Sequence, residues 1–221
     1  MKAQLSVFVL AFFAIVFTSC HKHVIRGNGS VITEVRSVGT FSKVVANGSS
    51  NVTIVEDDEY KVILTGYGNL INAYETRVSG DKLVLEFEDK FWNVKNDNVE
   101  IEVHTPYVDK VTINGSGDID VHSGFRQDNF FANVSGSGNI RVTNNKYKSV
   151  NAEVNGSGNI DLESSTCESA YINISGSGEV YVFVTDFLKV NISGSGDVWY
   201  SGDPLSTDFS ISGSGKVHKR N

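Results

Sequence analysis

Asn114-Gly115-Ser116-Gly117-Asp118-Ile119 is a phrase to which the chain keeps returning. Gly-Ser-Gly stands at 115–117, 136–138, 156–158, 176–178, 194–196 and 213–215, in steps of 21, 20, 20, 18 and 19 residues. Each copy follows Asn or Ser and precedes one polar or charged residue, then Ile or Val. A near-constant period in this range is the signature of a solenoid, in which one coil cannot bury its apolar face without its neighbours. The reading is therefore all-β: a single-stranded parallel β-helix with coils of 18–21 residues, regular over 111–217 and less regular in the N-terminal half.

The residues around the phrase carry a second regularity. Two positions before the first glycine stand Ile113, Val134, Val154, Ile174, Ile192 and Ile211. Two positions after the second glycine stand Ile119, Ile140, Ile160, Val180, Val198 and Val217. This period-two spacing of apolar residues is that of half-buried strands. The parity does not break across the motif, so the glycine pairs (Gly115 and Gly117, Gly136 and Gly138, Gly156 and Gly158, Gly176 and Gly178, Gly194 and Gly196, Gly213 and Gly215) share the aliphatic face. A glycine there marks crowding or unusual backbone angles, either a pinched wall or a tight corner. The serines between them point outward. Stacked coils bring equivalent residues to about 4.8 Å, so Ser, Asn/Ser and Asp/Asn/Glu ladders are expected to run up the stack. Loops at 123–129, 144–149, 164–169, 185–187 and 202–207 are expected to close the coils, and the charges of Lys216–Arg220 to cap the last one.

Further upstream, Asn47-Gly48-Ser49-Ser50-Asn51-Val52 and Gly66-Tyr67-Gly68-Asn69-Leu70 look like worn copies of the phrase. Residues 72–77 lack alternation and suggest a helical turn or loop. Residues 82–88 and 99–103 read as strands flanking a polar connection, 89–98, that carries Phe91 and Trp92.

The first residues read as an address rather than as fold. Met1-Lys2 is followed by an almost unbroken apolar run from Leu5 to Phe17 and by Thr18-Ser19-Cys20. The run is short for a membrane span, which needs about 20 apolar residues, and its flanks suit a secretory signal. The placement of Cys20 resembles the lipobox of bacterial lipoprotein signals, with Phe17 where Leu is usual. That resemblance implies a signal peptide over 1–19, acylation of Cys20, and a tether over 20–30 leading into a domain over 31–221. Two or more acyl chains suffice for stable membrane attachment. Losing residues 1–19 removes Lys2 alone and moves the formal charge from −7 to −8. Such a charge excludes phosphate-led binding of nucleic acid.

The repeated Gly-Ser-Gly-(Asp/Asn)-(Ile/Val), with the closing run Ile192-Ser193-Gly194-Ser195-Gly196-Asp197-Val198-Trp199-Tyr200-Ser201-Gly202-Asp203-Pro204, resembles the head GIN domain family of auto-transporter adhesins. The resemblance spans roughly residues 38–217. It implies a β-helical lipoprotein of the Bacteroidetes type, held at the outer membrane on its periplasmic or cell-surface side, and an adhesion or glycan- and protein-binding role. It supplies no site residues, and fold-level likeness alone does not supply a function.

No catalytic constellation stands out, and no cofactor or metal is expected. A phosphate-binding glycine loop opens a helix once; here the glycines precede strands six times. Glycine-rich calcium repeats have half this period, with Asp where this chain has aliphatics. Polysaccharide-cleaving β-helices need clustered carboxylates, about 5–9.5 Å apart in glycosidases, or a basic residue among acids on one face; Asp118, Asp120 and Asp161 on nearby coils are the candidates, and ladder residues are the plainer reading. His21 and His23 have metal-like spacing but no third ligand nearby. Glu56-Asp57-Asp58-Glu59 reads as a solvated turn. Cys167 has no cation near it in sequence and reads as a packed thiol. The Asn-x-Ser/Thr triplets at Asn47, Asn51, Asn114, Asn133, Asn155, Asn173 and Asn191 read as ladder positions. Phe91, Trp92 and Trp199 are candidate sugar-stacking rings. The function expected is a non-enzymatic binding module, with a periplasmic structural protein as the alternative and a polysaccharide-active enzyme third.

Overall fold

The computed structural model describes residues 23–220. Residues 1–19, read as a signal peptide, Cys20 and His21 lie outside the described residues. In chain order the elements are β1 (His23–Arg26), β2 (Val31–Ser37), β3 (Lys43–Gly48), β4 (Asn51–Glu56), β5 (Lys61–Tyr67), α1 (Gly68–Ile71), β6 (Tyr74–Ser79), β7 (Lys82–Phe87), β8 (Phe91–Lys95) and β9 (Glu100–Thr105). They continue as β10 (Lys110–Gly115), β11 (Asp118–Val121), β12 (Asn129–Gly136), β13 (Asn139–Val142), β14 (Lys146–Gly156), β15 (Asn159–Gly176), β16 (Glu179–Gly194), β17 (Asp197–Ser201), β18 (Ser206–Gly213) and β19 (Val217–Lys219).

The protein is a parallel β-solenoid of about 6 turns. One wall is the file β7–β3–β10–β12–β14–β15–β16–β18, and the other is β9–β4–β11–β13–β15–β16–β17–β19, all parallel. Equivalent positions of the repeat pair across each step, with Gly48, Gly115, Gly136, Gly156, Gly176, Gly194 and Gly213 in one column. Period-two alternation sends the aliphatics inward as continuous stacks. Ala46, Ile113, Val134, Val154, Ile174 and Ile192 form one buried column; Val52, Ile119, Ile140, Ile160, Val180 and Val198 form another. Burial of these side chains, each contributing roughly 1.5–3 kcal/mol, holds successive coils together.

The repeated phrase builds a corner. Strands end on the first glycine and resume after the second, with Ser116-Gly117 as the bend. The first glycine takes a positive φ, 145° at Gly115 and 137° at Gly156. The carbonyl oxygen of Gly115 accepts the N–H groups of Ser137 and Gly138 in the next coil, at 2.9 and 3.2 Å. The same forked bond recurs from Gly48 to Ser116 and Gly117 and from Gly194 to Ser214 and Gly215. The second glycine of each copy is buried and each serine is exposed, as the parity requires.

The N-terminal half departs from the simple series. Gly48 belongs to the glycine column, so the first worn copy is a coil. Gly66 is not: β5 runs antiparallel to β2 and β9 and leads into α1, so the second copy belongs to a cap. The base rung, β7 with β9, comes later in sequence than the rung above it, β3 with β4. Antiparallel β6 on one wall, and β5 and β2 on the other, close that end. Where higher coils turn on Gly-Ser-Gly, the base rung inserts residues 88–99, and β8 within this excursion pairs in parallel with β1. The segment read as tether is thus part of the folded body from His23 onward.

Two expected loops are absorbed. β15 and β16 run through 164–169 and 185–187, because their bends pair directly, Lys146 with Thr166 and Thr166 with Phe183. At the far end, among the described residues, the terminal charges do not cover the last rung. All eight residues of β18 are exposed, with Phe209 at 41% and Ile211 at 43%. The terminal charges turn to the flank instead: Lys219 pairs with Asp203 at 2.6 Å and Arg220 with Glu163 at 2.8 Å.

Candidate functional site

The polar ladder beside the corner is a hydrogen-bonded string. A side-chain oxygen of each member accepts the backbone N–H of its equivalent one coil on: Asn51 from Asp118 (3.1 Å), Asp118 from Asn139 (2.9 Å), Asn139 from Asn159 (3.2 Å) and Asn159 from Glu179 (2.9 Å). Asn139 and Asn159 also donate their amide N–H to the oxygen below. These side chains are spent on register. Asn114 donates likewise to Asn47, Asn133 to Glu153, and Asn191 to Asn173, each at 2.9 Å. The string on the serines runs through their backbone N–H groups.

The catalytic candidates are engaged by neighbouring side chains and backbone. Asp118 is held by Asn139. Asp120 and Asp161 share a different column, where Arg141 stands between them with contacts of 3.9 and 3.7 Å. Asp161 also accepts the Glu163 N–H at 3.0 Å. Among the described residues no three His, Cys, Asp or Glu side chains gather to hold a metal ion.

The acidic turn is tied down rather than bare. Asp57 Oδ2 lies 3.0 Å from Lys61 Nζ and 2.8 Å from His104 Nδ1. The Lys61 ammonium, the Glu59 backbone N–H and His104 lower its pKa to about 2. Cys167 is buried, donates to the Phe183 carbonyl oxygen at 3.4 Å, and has its thiol pushed up to about 12 by burial.

The candidate rings separate. Trp199 is stacked between Tyr181 and His218, with centroids at 6.4 and 4.0 Å and planes within 15°. Both of its faces are covered, so it offers no stacking platform. Trp92 is 60% exposed on the base excursion, beside Phe91, over a hollow of about 470 Å³.

The outward side of the corner wall carries a feature that the sequence reading passed over. A shallow trough of about 500 Å³ runs across β14, β15, β16 and β18, lined by Glu153, Asn155, Asn173, Ser175, Asn191 and Ser193 among others. On the same outward parity, two residues before Asn133 and Asn173, stand Phe131 and Tyr171, exposed at 42% and 39%. They belong to one column, separated by Asn151. The alternation that buries Ala132 and Ile172 turns these rings outward; that parity was the available signal.

Residues 40–204 match the family model described as "Putative auto-transporter adhesin, head GIN domain". The chain belongs to this family. Among solved structures, a "putative adhesin" from Bacteroides fragilis is 20% identical, with a TM-score of 0.76 over 89% of this chain and 100% of that one. A "putative adhesin" from Parabacteroides merdae is 18% identical, with a TM-score of 0.61 over 90% and 99%. A "putative lipid binding protein" from Parabacteroides distasonis is 22% identical, with a TM-score of 0.57 over 90% and 100%. At these identities the likeness establishes the fold alone. No curated protein matches the sequence.

Proposed function

We propose that this head GIN domain is a non-catalytic adhesion module of the cell envelope, acylated at Cys20, that binds a hydroxyl-rich ligand, a glycan, along its corner wall. The observation that carries this reading is the trough across β14, β15, β16 and β18, with Tyr171 outward two residues before its Asn173 and Phe131 further down the same column. It presents an amide or a hydroxyl on each rung, about 4.8 Å apart, with Asn155, Asn173 and Ser175, Asn191 and Ser193, and Ser210 and Ser212 in succession. Sugar recognition calls for flat apolar rings together with convergent polar groups. A shallow, exposed surface suits a long polymer engaged over several coils and does not enclose a substrate for bond cleavage. Family membership supports the adhesion role, and the lipobox-like placement of Cys20 supports the anchor.

The test is a glycan array on the mature chain, followed by titration of the best binder against Tyr171→Ala and Asn173→Leu. A tenfold or greater loss of affinity with unchanged circular dichroism supports the trough. Unaltered binding removes the trough from the proposal, and turnover of any polysaccharide overturns the non-catalytic reading. Protease shaving of intact cells addresses the facing: degradation supports surface display, whereas protection favours a periplasmic structural role.

A further inference from the structure

The base of the solenoid carries its own contact surface. The described chain begins at His23, whose N–H donates to the Lys90 carbonyl oxygen at 2.7 Å, which places the start of the fold beside the excursion of the base rung. From there β1 runs alongside β8, pairing Val24 with Asn93 and Ile25 with Val94. Ile25 and Val94 pack on the core, whereas Val24 is 48% and Trp92 is 60% exposed. Lys90 Nζ lies 5.0 Å from the centroid of the Phe91 ring. An exposed tryptophan and valine on so small a sheet do not serve the core.

Cys20 stands three residues before His23. Three residues fully extended reach about 10 Å, while the polar headgroup layer on one side of a bilayer is roughly 5–8 Å deep. An acyl group on Cys20 therefore leaves almost no slack between the bilayer and the β1–β8 sheet. We propose that this base excursion, with Trp92 exposed on β8 and Val24 exposed on β1, rests in the headgroup region of the membrane that holds the acylated chain. This inference rests on the acylation of Cys20 proposed above.

Tryptophan is the side chain best suited to that depth, since its ring is apolar and its N–H is polar. The attraction is apolar rather than electrostatic: Lys90 and Lys95 are outnumbered by Glu88, Asp89 and Asp97 in the same excursion, and the whole chain carries −7. Contact with a zwitterionic bilayer is therefore expected. The docked base also sets the pose of the molecule. The seven steps of the file from β7 to β18 lift the far rung about 34 Å above the base, at roughly 4.8 Å per step. The trough of the upper coils then faces outward, clear of the lipid.

The chain has two tryptophans, Trp92 and Trp199, and they lie at opposite ends of the stack. The experiment uses the acylated mature protein carrying Trp199→Phe, reconstituted into phosphatidylcholine vesicles with and without brominated acyl chains. Trp92 emission is expected to shift to the blue on reconstitution and to fall by half or more in the brominated vesicles. The complementary variant, Trp92→Phe, is expected to show no quenching of Trp199. Protein that floats with the vesicles while Trp92 stays unquenched overturns the docked base and leaves the anchor standing. Protein that does not float at all removes the anchor, and this inference with it.

Discussion

A Cβ built on Gly156 lies 2.2 Å from the carbonyl oxygen of Gly136 in the coil beneath. That oxygen is the one that accepts the Ser157 and Gly158 N–H groups at 2.8 and 3.2 Å. Any side chain here must displace the forked bond and also hold a φ of 137°. Gly156→Val is therefore expected to cost roughly 3–5 kcal/mol, as strained backbone and overpacking combine. Ser157→Ala, on the exposed apex of the same corner, is expected to stay within about 0.5 kcal/mol of the parent. Urea denaturation of the two variants beside the parent measures the contrast, and a neutral Gly156→Val would place the corner elsewhere.

The corner also shows what sequence carries and what it hides. Parity across Gly115-Ser116-Gly117 fixed which side chains turn inward, and the Asp118–Asn139–Asn159 string follows from the period alone. The order of the rungs was not legible. β3 and β7 have the same period-two pattern, and nothing in such a pattern states that residues 82–87 lie beneath residues 43–48. Gly66-Tyr67-Gly68 misleads because a glycine before a polar and an aliphatic residue, here Gly68 before Asn69 and Leu70, suits a corner or a helix start equally well; α1 begins at Gly68. Phe131 and Tyr171 are legible only by parity: their neighbours Phe130 and Ala132, and Ala170 and Ile172, are the buried ones.

Cys167 offers a direct report on the closed coil. Burial raises its thiol from 9.0 to about 12, which lowers the thiolate fraction at neutral pH by about a thousandfold. Ellman's reagent at pH 8 is expected to leave Cys167 unmodified in the folded protein and to label it rapidly in 6 M guanidinium, with Cys167→Ser as the control. Prompt labelling of the native protein would contradict the packing of the bend at Thr166–Cys167.

Asp57 gives the pH dependence a sign. Its folded pKa is lowered to about 2, chiefly by Lys61 and then by the Glu59 N–H and His104. A lowered carboxylate stabilises the fold above its unfolded pKa of about 3.9, and that stabilisation is lost as pH falls toward the folded value. The parent is thus expected to lose Tm between pH 4 and pH 2. Asp57→Asn is expected to melt lower at pH 6 and to show a smaller further drop. Thermal melts across that range compare the two, and parallel curves would assign the acid sensitivity to other carboxylates.

The last rung sets the order in which the stack opens. Among the described residues β18 pairs with β16 alone, whereas β14 and the second half of β15 have a strand on each side. In a parallel ladder a strand divides its bonds between two neighbours, so about half of the β18 amides face outward without a backbone acceptor. Its inward residues are also the least covered, with Phe209 and Ile211 exposed where Val190 and Ile192 beneath them are buried. Solenoid stability is close to a sum of nearest-neighbour terms, so fraying begins at the rung with one neighbour and moves down. Hydrogen exchange is therefore expected to be fastest over 206–213, slower over 187–194, and slowest over 149–176. The antiparallel cap should keep the base rung protected, although it too is terminal. Equal protection of β18 and β15 would contradict this order and would mean that a second copy or another chain covers the end in solution, which the concentration dependence of the exchange would reveal.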